Sequence, residues 1–262
     1  MCKSLGISRV AYYYHSQRKD ESKLEKRVVS LFRLSRNNYG SRKLKAAFKQ
    51  ERIILSRQKI SRIMNKYGLV SNYQKARFKG RRTQTNNSLK RNVLNQEFKQ
   101  EKPLRVVVTD LTYVRVRNKW HYVCLILDLY NREIIGHSCG PRKDVHLVLE
   151  AIHTIKTPLD QLTMFHTDRG KEFDNIALTS FLKAFKIKRS LSKKGYPYDN
   201  AVAETTYKAF KTEFVNQRKF TSFAQLRTEL FDYVHWWNVY RLHGTLGYKS
   251  PVTYRLEQEN ML

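Results

Sequence analysis

At 262 residues the chain is long enough for one sizeable core plus a smaller domain. Lysine and arginine number 51 against 22 aspartates and glutamates, a formal net charge of +29 at pH 7, and a charge of that size repels itself in a compact state unless a polyanion shares it. No apolar run reaches the roughly 18 residues of a membrane span, and residues 1–20 are too polar and basic for a signal peptide, so nucleic acid stands ahead of an anionic membrane surface as the partner.

Cys2, Cys124 and Cys139 lack metal-ligand spacing and suit a reducing compartment rather than a disulfide framework. Residues 1–15 contain SLGISRVAYYYH, which predicts a short basic, aromatic helix after a turn. A second helix is expected over 21–35, with Leu24, Val28, Leu31 and Leu34 at helical spacing, broken by Asn37-Asn38-Tyr39-Gly40. Ser41 is placed to cap a helix containing Leu44 and Phe48, and Ser56 to cap another over 57–67, which Gly68 ends. That last helix turns Ile60, Ile63, Met64 and Tyr67 inward and Arg57, Lys59, Arg62 and Lys66 outward. Three short helices with a basic last one suit a helix-turn-helix-like unit, Arg57 and Arg62 being candidate DNA contacts; a packing module without DNA contact is the alternative. Residues 71–91 hold Lys75, Arg77, Lys79, Arg81, Arg82, Lys90 and Arg91 with no acid, and read as a linker that can touch phosphates.

From residue 103 the pattern changes to period two. Strands are predicted over 105–116, 120–129 and 133–139, the first turn falling at Asn118-Lys119. A helix over 144–155, a strand over 162–167, a helix over 175–185 and a strand over 187–191 follow. Asp199 or Asn200 is placed to cap the helix bearing Glu204. An amphipathic helix over 221–240 buries Leu226, Leu230, Tyr233, Val234 and Trp237. The order βββ-α-β-α-β-α predicts an α/β layer structure with a mixed sheet flanked by helices.

Three carboxylates stand out. Asp110 lies mid-strand in VVVTDLTYV, where an unpaired buried charge is expensive. Asp168 ends a strand before Arg169-Gly170, where α/β sheets tend to place ligands. Either alone would more readily be structural. Glu204 shares a helix whose apolar stripe is Ala203, Tyr207, Phe210 and Phe214, and whose neighbouring stripe is Glu204, Lys208 and Lys211. A surface Glu204–Lys208 pair would account for two of these residues and for neither aspartate. Phosphoryl transfer on DNA uses two hard cations roughly 3.5–4 Å apart, magnesium prefers carboxylate, water and phosphate oxygens, and three convergent carboxylates are a minimal protein share of that site. Lys193 and Lys194 precede a Gly-Tyr-Pro loop and are further candidate DNA contacts. His166, beside Asp168, reads equally as approaching the site or as packing, while His243, Asp128 and Asp174 read as structural or turn residues.

Together these residues resemble the catalytic core of the retroviral-integrase superfamily and, more narrowly, the downstream-frame (OrfB-type) DDE transposases of bacterial insertion sequences. The resemblance is carried by TDLTYV around Asp110, LDLYNREIIG, HTDRGKEF around Asp168, SLSKKGYPYDNAVAETTYKAFKTE around Glu204 and YRLHGTLGYKSPVTY. It rests also on the 35 residues between Asp168 and Glu204 and the lysine seven beyond Glu204. It implies an RNase H-like fold in which a small all-α helix-turn-helix-like domain (1–70) and a basic linker (71–102) precede a catalytic core (103–220) and a C-terminal helical extension (221–262). It implies Asp110, Asp168 and Glu204 as catalytic ligands of two magnesium ions, with manganese able to substitute, and Lys211 and Lys208 beside the DNA. It further implies cleavage at transposon ends and strand transfer by a 3′-hydroxyl, on double-stranded DNA comprising terminal inverted repeats and a target. A homo-oligomer on that DNA, an upstream-frame protein fused or paired with the chain, and a cytoplasmic, nucleoid-associated setting in a bacterium are expected on the same ground, with no membrane involved. The competing functions are an RNase H-fold nuclease that cuts without joining, and a DNA-binding transposition inhibitor with a dead core.

Overall fold

The structure, a computed structural model, describes residues 2, 4–8, 21–74, 92–193 and 197–260. Most of the segment 1–15 in which the first helix is expected, and residues 75–91 of the basic stretch 71–91, like Lys194, lie outside the described residues. The chain divides into two compact units, Met1–Val70 and Ser71–Leu262. Among the described residues no helix is long and apolar enough to cross a membrane.

In the first unit three helices, α1 (Ser22–Leu34), α2 (Ser41–Gln50) and α3 (Arg57–Lys66), enclose a small core. Val28, Phe32, Leu44, Phe48, Ile60 and Ile63 are its buried centre. Ser56 caps α3 as expected, its hydroxyl accepting the Lys59 N–H at 3.1 Å, and Gly68 closes it with φ +62°, a left-handed angle that costs glycine nothing. Ser41 does not cap: it is the first residue of α2, and Gly40 occupies the N-cap. Leu34 and Tyr67 are not inward either. Leu34 lies on the solvent side of the last turn of α1, where Phe32 takes the core position. The Tyr67 phenol reaches out to donate to Glu25 at 2.7 Å. Two acids of α1 and its approach meet the basic face of α3: Glu21 pairs with Lys59 at 2.8 Å and Arg62 at 3.4 Å, and Glu25 with Lys66 at 2.8 Å.

The second unit is built on a five-stranded mixed sheet in the order β3-β2-β1-β4-β5. Strands β1 (Val106–Val116), β2 (Lys119–Asp128) and β3 (Ile134–Gly140) form the antiparallel meander. The turn between the first two is Arg117–Asn118, one residue earlier than expected, with Arg117 in the left-handed region at φ +49° and Lys119 already paired with Val116. Strands β4 (Met164–Thr167) and β5 (Lys188–Leu191) extend the sheet parallel to β1. The helices are α4 (Val145–His153), α5 (Ile176–Ala184), α6 (Ala201–Glu213), α7 (Phe223–Val239) and α8 (Pro251–Glu259).

Two apolar layers sandwich the sheet. Val106, Val108, Val114, Val123, Leu125 and Leu127 face α6 and α7, against Tyr207, Phe210, Phe214 and Tyr233. Val107, Cys124 and Ile126 face α4 and α5, against Val148, Ile152, Leu178 and Leu182. Val123–Leu127 of β2 are all fully buried and alternate between the layers, which explains why that strand reads as one apolar run rather than as alternation. At the far end of α6, Glu213 is fully enclosed. It takes Arg241 at 2.8 Å and the Tyr233 hydroxyl at 3.0 Å, and the Tyr73 hydroxyl also donates to it. The Arg241 guanidinium stacks 4.1 Å from the Trp237 ring centroid, so a buried charge pair with every partner supplied ties α6 to α7 and the segment beyond it.

Candidate active site

Parallel register brings two of the three carboxylates together. Val108 of β1 is paired with His166 of β4. Asp110 lies two residues further along β1, and Asp168 two residues further on, one past the end of β4, near enough that its charge raises Asp110. Each is half-buried. Asp110 accepts the Leu111 N–H at 2.7 Å and Asp168 the Gly170 N–H at 2.9 Å. Burial first, and the charge of Asp168 next, push the Asp110 carboxyl up to about 7. The Asp168 carboxyl is also raised, chiefly by burial, with Glu172 adding to it. Two acids that resist joint ionisation are the expected signature of a site made to share positive charge.

A third acid in this neighbourhood is one that sequence reasoning missed. Glu172 is buried and pairs with Lys143 Nζ at 2.9 Å. Its charge acts on both aspartates, and that of Lys143 opposes it at both. Glu172 folds back over Gly170: a Cβ there would stand 2.4 Å from its Oε1, so any larger residue would displace the carboxylate. Its place four residues after Asp168 was a usable signal; nothing in the sequence marks Lys143, which precedes the α4 N-cap Asp144.

Glu204 lies in the first turn of α6 on the exposed side, as does Lys208 one turn on, while Ala203, Tyr207 and Phe210 form the buried stripe as expected. Among the described residues no three His, Cys, Asp or Glu side chains gather as a metal site. The helix is nevertheless fastened at the level of Asp110. Tyr207, one turn after Glu204, donates its hydroxyl to the Asp110 carbonyl and accepts the Leu125 N–H at 2.6 Å.

The remaining candidates fall into place individually. Lys211 sits with Nζ 4.1 Å from the Tyr113 ring centroid. Lys193 is exposed, and its N–H is held by Asp199 at 2.7 Å. Asp199 therefore pins the approach to α6 rather than capping it, and Asn200, at the N-cap position, makes no side-chain cap bond. Arg57 and Arg62 lie exposed on α3. His166 is fully buried between Ser190 (2.9 Å) and Ser192 (3.2 Å), with burial lowering its pKa to about 4, so it packs rather than reacts. His243 is likewise buried against Arg241 and Trp237.

Three family profiles match this chain. Residues 100–197 match an integrase core domain, residues 204–258 a second integrase core domain profile, and residues 18–77 an HTH-like domain. The chain is similar to the transposase for insertion sequence element IS904 of Lactococcus lactis, 27% identical over 87% of this chain and 91% of that protein. It is similar also to a 31 kDa protein of insertion element IS600 from Shigella sonnei, 29% identical over 100% of this chain and 99% of that protein. Among solved structures it is similar to the HTLV-2 integrase catalytic core domain in complex with magnesium, 15% identical, with a TM-score of 0.43 over 60% of this chain and 99% of that one.

Proposed function

Since the chain belongs to the integrase core-domain family and carries an HTH-like domain before that core, we propose that it is the DDE transposase of an insertion sequence, cutting the ends of its element and joining them to target DNA. The observation that carries the reading is the pair Asp110, on β1, and Asp168, just past the end of the parallel strand β4, each held above the ordinary carboxylate range by burial and by the acids beside it. The donor chemistry fits a hard divalent cation: oxygen ligands only, negative charge in excess, and a backbone N–H already satisfying one oxygen of each aspartate. Asp110, Asp168 and Glu204 would hold two magnesium ions, or manganese in their place, Glu204 completing the set from α6 when DNA and metal are bound. When present, such ions polarise the scissile phosphate and stabilise the attacking and leaving oxygens.

The chain's own residues orient this chemistry. Tyr207 fixes the height of α6 against Asp110. The Lys143–Glu172 pair sets the field around the two aspartates. Lys208 and Lys211, on the same flank of α6 as Glu204, and Lys193 and Lys194 before the helix supply cations for the phosphate backbone of the element end; Arg57 and Arg62 do so on the helical unit. The DNA partners are the terminal inverted repeats and a target duplex in the bacterial nucleoid, bound by a homo-oligomer and, where the element encodes one, with an upstream-frame protein.

Incubation of the protein with magnesium and element-end DNA tests this. Joined strands alongside cut ones are expected, and Asp168→Asn should abolish both while leaving DNA binding. Shortened strands without joining would favour the nuclease reading, and unchanged transposition by Asp168→Asn the dead-core reading. Calcium should support binding without cleavage; vigorous cutting in calcium would overturn the metal assignment.

A further inference from the structure

The hairpin of β1 and β2 carries an exposed aromatic cluster that the chemistry at the carboxylates does not use. Tyr113 and Trp120 are 55% and 52% exposed, and their rings meet edge to face with centroids 5.1 Å apart. Cations interleave with them. Lys211 Nζ lies 4.1 Å from the Tyr113 centroid, and the Arg115 guanidinium 5.9 Å from the Trp120 centroid. Arg117 and Lys119 are exposed at the turn. Arg115 is the cross-strand partner of Trp120, and Tyr122 of Tyr113, so these four side chains share one face of the hairpin.

Large rings left half in water beside four cations are an unusual expenditure of apolar surface. The combination matches one class of ligand. Aromatic faces accept nucleobases by stacking, which every base can do, while flanking lysines and arginines take the phosphates. Duplex bases are already stacked on one another, so the surface suits unpaired ones. The two strands hold the rings in place before any ligand arrives, so little side-chain freedom is lost on binding. Location points the same way: Lys211, which meets the Tyr113 ring, stands on α6 seven residues after Glu204.

We propose that Tyr113 and Trp120 form a stacking platform for the unpaired bases of a single strand of the element-end DNA, with Lys211 and Arg115 bracing its backbone. The proposal rests on the transposase reading of those carboxylates. It assigns Lys211 a double task, ordering the Tyr113 ring and meeting phosphate.

Tryptophan fluorescence reports on it directly, because the other two tryptophans, Trp236 and Trp237, are buried at 5% and 2%. The full chain, kept free of divalent metal, is titrated with a short oligothymidylate and with an abasic oligomer of the same length and charge. The oligothymidylate is expected to quench the emission and to bind about fivefold or more tightly than the abasic strand, the lower end for a single stacked base. Trp120→Ala together with Tyr113→Ala should bring the two affinities together, and Trp120→Phe should keep them apart. Equal binding of the two oligomers by the wild type, or a base preference that survives the double alanine variant, overturns the platform. Joining of element-end DNA, measured separately in magnesium, keeps the two readings distinct. A wild type that joins but shows no base preference refutes the platform; one that prefers bases but neither cuts nor joins refutes the transposase reading.

Discussion

The hydroxyl of Tyr207 bridges two strands at the catalytic level: it donates to the carbonyl of Asp110 and accepts the N–H of Leu125. Asp110 and Leu125 are cross-strand partners in β1 and β2. A residue of α6 is thus inserted into the hydrogen bonding of the sheet at the position of the acid, one turn after Glu204.

Tyr207→Phe removes that bridge without changing the ring. The buried Leu125 N–H and Asp110 carbonyl then lose a partner, at a cost of about 1–3 kcal/mol. A lower melting temperature is expected, together with a fall in cleavage larger than the fall in DNA binding, since the spacing of Glu204 to Asp110 is what the bridge fixes. Melting curves and gel assays of cutting and binding check this; equal losses in both assays would make Tyr207 merely structural.

The acid pair predicts an inverted dependence of stability on pH. An unfolded aspartate titrates near 3.9, while Asp110 in the fold is raised to about 7. Between those values the folded chain holds a proton that the unfolded chain has lost, so metal-free stability falls as pH rises through that window. Melting in chelator should therefore drop by several degrees from about pH 4 to about pH 7. Asp110→Asn should flatten much of the drop, and magnesium should raise the melting temperature more at the upper end than at the lower.

Lys143 and Glu172 should move the acidic limb of the cleavage profile in opposite directions. The lysine charge lowers Asp110 and Asp168, and the glutamate charge raises them. Lys143→Met is expected to shift that limb upward by roughly one pH unit and Glu172→Gln to shift it downward. Profiles of the initial cutting rate decide; two variants that lose rate with no shift would show that the pair only packs.

Arg241→Met takes the guanidinium from the fully enclosed Glu213 carboxylate and leaves it the Tyr73 and Tyr233 hydroxyls. Breaking one half of such a pair costs about 3–5 kcal/mol. Calorimetry should show a large loss of stability, and Glu213→Gln in the same chain should recover part of it. Recovery is the diagnostic outcome, because it separates an orphaned charge from lost packing against Trp237.

Sequence alone determined most of the described elements and their kind, though not α8. Apolar period fixed α1 and α3 to α7 to within a residue or two, β-branched runs fixed the strands, and the stripe Ala203, Tyr207, Phe210 and Phe214 fixed which side of α6 is buried, because such patterns depend on local geometry and on the gain from burial. It also singled out Asp110, Asp168 and Glu204 by residue type and spacing. It could not show that Asp110 and Asp168 come together, since that depends on the pairing of two strands more than fifty residues apart. Nor could it show that Asp199 spends its carboxylate on Lys193 and Gln96 instead of a helix cap, or that Tyr67 and Leu34 face water. Glu172 with Lys143, Tyr207 with Leu125 and Lys211 with Tyr113 are partnerships between distant segments. Chain entropy opposes each of them until the sheet and its two layers are assembled, and so only the tertiary structure decides them.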